Sequence, residues 1–267
     1  MTMLTPGQIE IYQKDGYLFL PNHFSSFEVE TLRSQLPQVY TEALPGRVFE
    51  VGTNTVRAVH GVHTCNAVFS RLIRYASLLN LATQVLSSQV YIHQFKITVK
   101  PAFIGDVWQW HQDSQYWMNK DGLPLDQLLS VVIFLSEVNE FNGPLMLVPG
   151  SHKDGVLGQQ EKNVEMDCDS HMTSELPDTI DPEVLAHHVN QRGIVAPKGA
   201  AGSVLLFHAS TFHASAPNMS PFARELLIAS YNRVDNKPII DSPRPEFLAS
   251  RDYKPLSPLT QNSLVLK

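Results

Sequence analysis

The chain has 267 residues, 43% hydrophobic and 17% charged, with a formal charge of −6 from 20 basic and 26 acidic side chains. That balance fits one large globular domain, and the lack of any Lys/Arg cluster argues against a nucleic-acid partner. Two cysteines, Cys65 and Cys168, are too few for a disulfide framework or a cysteine zinc site; no apolar run nears the ~20 residues of a membrane span, and no secretory leader is evident, so a cytoplasmic location is expected.

Thr5-Pro6-Gly7-Gln8 reads as a helix start, with Thr5 as cap, Pro6 at the first helical position and Gln8 closing a capping box. Gly16 ends that helix, and Tyr17 to Pro21 is a short strand. Ser25 and Glu28 form a second capping box, followed by a stripe of Val29, Leu32, Leu36 and Val39. Arg47 to His63 alternates around Gly52-Thr53-Asn54, a hairpin pattern. Arg57, His60 and His63 lie on or just after its second strand, where a surface position is the simplest reading. Asn66 caps a longer helix with Phe69, Leu72, Ile73, Ala76 and Leu79 on its buried stripe. Residues 1–88 thus read as a mostly helical scaffold.

From Gln89 the pattern becomes β. Along Val90 to Val99, one face carries Tyr91, His93, Phe95, Ile97 and Val99. The other carries Val90, Ile92, Gln94, Lys96 and Thr98, and its three consecutive polar groups suggest a wet surface or a polar cavity. Ser130 to Leu135 is a strand covered on both faces. Asn142-Gly143-Pro144 is a turn, and Leu145 to Val148 a further strand. About residues 150–199, including Asp167 to His171, the chain is polar and weakly patterned, as in an active-site lid; only Asp181 to Gln191 looks helical there. His187 and His188 on that helix read as solvated. Gly202 to His208 and Ala223 to Asn232 are strands, and the Pro-rich segment 236–267 is a tail laid over the domain. The expected fold is one domain, mainly β with flanking helices, whose core (89–235) is a double-stranded β-helix, a cupin-like jelly roll.

Trp108-Gln109-Trp110-His111-Gln112-Asp113 carries the chemistry. Residues two apart on a strand share a face, so His111 and Asp113 offer two ligands of a 2-His-1-carboxylate site. That ligand set suits Fe(II), because positions remain open for a co-substrate and oxygen. His208 and His213 are the candidates for the third ligand. A hairpin turning at Asn218-Met219 would place His213 opposite Arg224 and Ser215 opposite Phe222, with directly opposed Cβ atoms about 5 Å apart. Metal, serine and guanidinium in a row fit a short dicarboxylic keto acid, chelated at one end and clamped at the other. His208 lacks such an arrangement, so His213 is favoured.

These residues resemble the phytanoyl-CoA dioxygenase family of Fe(II)/2-oxoglutarate oxygenases, and within it ectoine hydroxylases and the free L-leucine 5-hydroxylases of peptide natural-product pathways. The resemblance rests on Tyr91-Ile92-His93-Gln94, Trp110-His111-Gln112-Asp113, Asp121-Gly122-Leu123-Pro124, Glu140 to Pro144, Gly150-Ser151-His152, Ser215 to Asn218 and Ser220 to Arg224. It implies His111, Asp113 and His213 as iron ligands and Arg224 and Ser215 on the far carboxylate of 2-oxoglutarate. Trp108 and Lys96 are assigned beside the co-substrate, and Gln94 and Trp117 to the substrate side. The implied reaction hydroxylates an unactivated C–H and converts 2-oxoglutarate and O2 to succinate and CO2, with ascorbate as a supporting reductant. Related halogenases carry a small residue where Asp113 stands, so hydroxylation is expected here.

The Phe95-Lys96-Ile97 and Val56-Arg57-Ala58 stretches tilt the likeness toward leucine 5-hydroxylation. Arg57 or Arg244 would then take the amino-acid carboxylate, with Trp117 and Trp110 around the aliphatic chain. A cyclic zwitterion such as ectoine is the alternative substrate. A non-catalytic cupin-like metal-binding protein, or a zinc hydrolase, is the alternative of another class.

Overall fold

The computed structural model describes residues 3–157, 176 and 178–265. Its elements are α1 (Pro6–Asp15), β1 (Tyr17–Leu20), α2 (Ser26–Arg33), α3 (Leu36–Thr41), β2 (Arg47–Phe49), β3 (Val56–His60), α4 (Ala67–Leu72), α5 (Ala76–Leu86), β4 (Val90–Lys100), β5 (Trp108–His111), α6 (Asp113–Asp121), β6 (Leu128–Phe134), β7 (Leu145–Leu147), α7 (Pro182–Arg192), β8 (Val204–His208), β9 (His213–Ser215) and β10 (Arg224–Arg233). The strands form a seven-stranded sheet, ordered β1-β8-β6-β10-β4-β3-β2, and a three-stranded sheet, β5-β9-β7. Every pairing is antiparallel. This is the expected jelly-roll core with helices outside.

The large sheet is buried on both faces, which is why β6 reads as an unbroken apolar run. Val131, Ile133, Leu206 and Leu227 pack outward with Leu32, Phe69, Leu78 and Leu79 of the helices. Val132, Phe134, Leu205 and Leu226 turn inward and meet Leu145 and Leu147 of the small sheet. Both capping boxes form, at Thr5/Gln8 and Ser25/Glu28. Gly16 ends α1 in the left-handed region at φ 75°, a conformation that costs a glycine nothing.

Four expectations need correction. The N-terminal third is more than helical scaffold: β1 pairs with β8 and β3 with β4, so it extends both sides of the large sheet. The helix expected after Asn66 is two helices, because Tyr75 is extended (φ −66°, ψ 129°) and restarts the chain as α5. The simple alternation of β4 breaks at a bulge, where Gln94 pairs with Ser230 but Ile92 with Tyr231, leaving His93 as the extra residue. Val90 and Ile92 consequently join Phe95 and Ile97 in the outer core. Arg57 and His60, read as surface residues, are buried (1% and 7% exposed), and His63 is half-buried against the Phe95 ring.

The C-terminal segment has no strand or helix among its described residues, yet it is fixed. Ser250 and Leu256 donate backbone hydrogen bonds to the carbonyls of His93 and Val90. Its own Leu248, Ala249 and Leu264 are buried against the domain. Of the expected lid, residues 158–175, with Cys168 and Asp167 to His171, lie outside the described residues. Within α7, His187 is exposed as expected, whereas His188 is half-buried, near Asp154 and the Phe212 ring.

Candidate active site

His111 closes β5, and its register partner on β9 is His213. The two imidazoles therefore lie side by side, with ring centroids 4.1 Å apart. Asp113 is not on the strand, as the sequence suggested. Gln112 caps α6 and Asp113 opens its first turn, which still brings the carboxylate to the histidines. Its Oδ1 is 3.7 Å from His111 Nε2 and its Oδ2 3.8 Å from His213 Nε2. Ligand atoms of all three lie within 4.8 Å of one another, a spacing that can hold a metal ion.

The imidazoles are set to ligate through Nε2. His111 Nδ1 is 2.6 Å from the Gln109 carbonyl, and His213 Nδ1 is 2.9 Å from that of Thr211. A carbonyl only accepts, so each Nδ1 carries the proton and leaves the Nε2 lone pair to the metal. Burial holds His213 neutral, its pKa lowered to about 3, with His111 adding to the effect. Burial alone would raise the Asp113 carboxyl, but Lys96, His213 and His111 outweigh it and keep it below the usual range. The junction of β5 and α6 is tied to the loop before β9. Gln112 Nε2 donates to the carbonyls of Gly155 and Ser210 (both 2.8 Å), and Ser114 Oγ is 2.8 Å from Ser210 Oγ. His208, the other candidate ligand, is not in the cluster; its Nδ1 accepts from Ser210 N–H instead.

The expected hairpin between His213 and Arg224 does not form. Asn218 ties the chain to the end of β4, donating to the carbonyls of Lys100, Pro101 and Phe222. The chain thereby crosses between sheets: β9 stays in the small sheet, while Arg224 begins β10 opposite Lys100. The expected row survives on another strand, since Ser215 pairs with Trp108 beside the His111–His213 pair. Arg224 reaches the same cavity from the facing sheet, along with Lys96, Trp108 and Ser215.

Arg224 is 1% exposed, yet its Nε and Nη1 have no hydrogen-bond partner; neither has Ser215 Oγ. Burial, with Arg57 nearby, lowers its pKa to about 9. Two more basic groups lie close. Lys100 Nζ donates to the carbonyls of Ala216 (2.7 Å) and Asp106. Its pKa is pushed down to about 6 by burial, then by Arg224 and Arg57. Arg57 stacks on the Trp108 ring at 3.9 Å, pairs with Glu50 at 3.0 Å and donates to the Val107 carbonyl. Two buried guanidiniums and the Lys100 amine, with Glu50 and the half-buried Asp106 as the carboxylates acting there, leave room for an anion. A dicarboxylate with one end near the metal ligands and the other on Arg224 and Ser215 would satisfy the orphaned donors of those two residues.

Gln94, Trp117 and Arg244 line an adjoining cavity that also opens onto His111 and Asp113. Gln94 Nε2 donates to the Leu248 carbonyl at 2.9 Å. Arg244 lies over the Tyr116 ring and is held by both oxygens of Asp121, at 2.8 Å each. Two expected substrate residues lie elsewhere. Arg57 sits behind Trp108, and Trp110 packs with Ile180 and Phe212.

The sequence profile described as phytanoyl-CoA dioxygenase matches residues 12–226. The chain belongs to that family. The L-proline trans-4-hydroxylase of Streptomyces griseoviridis is 36% identical over 256 residues, 95% of each chain. The ectoine dioxygenase of Bordetella bronchiseptica is 36% identical over 273 residues, 98% of this chain and 88% of that one. The crystal structure of EctD from S. alaskensis with 2-oxoglutarate and 5-hydroxyectoine aligns with TM-score 0.84 at 32% identity, covering 98% of this chain and 89% of the other. The same protein with bound Fe aligns at TM-score 0.82, with 32% identity and the same coverage. This phytanoyl-CoA dioxygenase homologue is an Fe(II)- and 2-oxoglutarate-dependent dioxygenase, a hydroxylase and not a non-catalytic cupin-like protein or zinc hydrolase.

Sequence reasoning missed or misread several groups in or beside the dioxygenase's pocket. Lys100 continues the polar face of Gln94, Lys96 and Thr98, so its signal was present. Asp178 carried none, lying in a weakly patterned stretch; His60 was read only as a surface residue and Asp121 only as part of a family motif, because what surrounds each comes from other segments. Among the described residues, no helix is long and apolar enough to cross a membrane.

Proposed function

We propose that this dioxygenase hydroxylates an unactivated C–H of a free aliphatic L-amino acid, with leucine at C5 as the first candidate. In the net reaction one oxygen atom of O2 enters the new hydroxyl and the other enters succinate, as 2-oxoglutarate loses CO2. His111, Asp113 and His213 hold Fe(II), which supplies the activation of O2 with 2-oxoglutarate as electron source. Arg224 and Ser215 bind the far carboxylate of 2-oxoglutarate, and Trp108 and Lys96 flank it. The orphaned, buried Arg224 guanidinium beside the His-Asp-His cluster is the observation that carries this reading. On the substrate side Arg244 and Gln94 present polar groups, and Trp117 an apolar wall. Closing this small pocket from water strengthens each of those interactions.

A second reading has its own support. The ectoine dioxygenases are as similar in sequence as the proline hydroxylase, so a cyclic zwitterion fits equally well. The test is mass spectrometry of L-leucine, L-proline and ectoine in one mixture, incubated with the enzyme, Fe(II), ascorbate and 2-oxoglutarate. Leucine gaining one oxygen, with equimolar succinate, supports the first reading. Oxygen on ectoine alone replaces it with the second.

A further inference from the structure

Each acid around the substrate cavity has a visible partner except one. Asp113 faces the two histidines. Asp121 is saturated by Arg244, His93 and Ser242. Asp178 also lines this cavity, yet its Oδ2 is buried and accepts no hydrogen bond. Among the described residues it makes no ion pair within 4 Å. Lys120 acts on it only at longer range, and burial raises its carboxyl above the usual value. A desolvated carboxylate oxygen is costly unless a cation or donor meets it.

The neighbours do not supply that cation: Lys96, on the same cavity wall, acts on Asp113 and makes no ion pair with Asp178. His60 lies on the same cavity wall with neither ring nitrogen hydrogen-bonded, but burial, Lys96 and Arg244 lower its pKa to about 3, so it is neutral. Arg244 is committed to Asp121. We infer that Asp178 receives the ammonium group of the substrate and makes the pocket selective for amine-bearing acids over analogues with oxygen in that position. This rests on the amino-acid reading above. Asp178, open on one oxygen, supplies the negative charge that an ammonium group requires.

The test is anaerobic titration of the Fe(II)/2-oxoglutarate enzyme, followed by the fluorescence of Trp108 and Trp117 at the cavity. The probes are L-leucine and L-proline, each against its analogue with oxygen in place of the amine: 2-hydroxy-4-methylpentanoate and tetrahydrofuran-2-carboxylate. The unmodified enzyme is expected to bind at least one amino acid about tenfold or more tighter than its analogue, the scale of one charge-assisted hydrogen bond. Asp178→Asn should reduce that preference to about twofold, with 2-oxoglutarate affinity and melting temperature unchanged, and Asp178→Glu should restore part of it. Full discrimination in Asp178→Asn overturns the inference and leaves the amino-acid reading standing. So does an equal loss in Lys120→Met, which would make Asp178 a structural partner of that lysine. Failure of the unmodified enzyme to bind either amino acid removes both.

Discussion

At the scale of single residues, the site is a set of charges waiting for ligands. Arg224 has no acid beside it, so removing it should cost little in the free protein and much in the complex. Arg224→Ala is expected to raise the KM for 2-oxoglutarate by about ten- to a hundredfold, the range for charge-assisted hydrogen bonds. Iron content by elemental analysis should stay at the parent level, because Arg224 is not among the clustered ligands; an unchanged KM would refute the assignment. Lys100 gives a pH dependence. Its folded pKa of about 6 lies below the ordinary 10.5, so the unfolded chain holds more protons between those values. Stability contributed at this site therefore rises with pH across that window, by at most about 1.4 kcal/mol per pH unit. Urea unfolding of the parent and Lys100→Met should show the parent gaining on the variant from pH 6 to 10, and parallel profiles would contradict it. The ligands themselves were legible in the sequence because a motif places them. The partners of the surrounding cations were not: Asp121 and the Ala216 carbonyl lie more than a hundred residues from Arg244 and Lys100, and Glu50, though near Arg57 in sequence, meets it only across a strand turn whose pairing no motif marks.

At the scale of elements, local signals were legible and pairings were not. Capping boxes need only four consecutive residues, and both form as read. The β9–β10 hairpin looked sound because a turn sequence separates two strands, but Asn218 spends its amide on the Lys100 and Pro101 carbonyls at the end of β4 and redirects the chain. The β4 bulge is likewise invisible locally, being set by how β10 pairs across it. One element junction matters most for the metal site, the step from β5 into α6. Gln112 clamps it to Gly155, Ser210 and Leu157, fixing Asp113 against His213. Gln112→Ala should lower metal affinity by about ten- to a hundredfold, as loss of such supporting contacts commonly does. Cobalt(II) titration followed by its visible absorption would measure this, and affinity equal to the parent would show that the strand pair alone holds the geometry.

At the scale of the whole molecule, the two cores and the tail have separate tasks. The helix-backed core makes the large sheet rigid, the inner core holds the two sheets apart around the cavity, and the C-terminal segment closes the substrate end. Asp121 joins these parts. It sits at the end of α6, accepts from His93 at the β4 bulge, and holds Ser242 and Arg244 of the tail. Burial alone would raise its carboxyl, but His93 and Arg244 outweigh it and hold it below its usual range. Its stabilising contribution is therefore present above the unfolded value of 3.8 and is lost as pH falls through the lower folded value. Asp121→Asn leaves Arg244 buried without its counter-ion, a change that typically costs about 3–5 kcal/mol. The melting temperature should drop at pH 7, with the gap to the parent closing in acid. Because Asp113 lies at the opposite end of α6, and His111, His213 and Arg224 lie on β5, β9 and β10, iron and 2-oxoglutarate binding should persist. Substrate KM should rise more than tenfold, and succinate should form in excess over hydroxylated product. Parallel losses of iron, 2-oxoglutarate and substrate binding would show that Asp121 supports the fold as a whole and not the closure of one end.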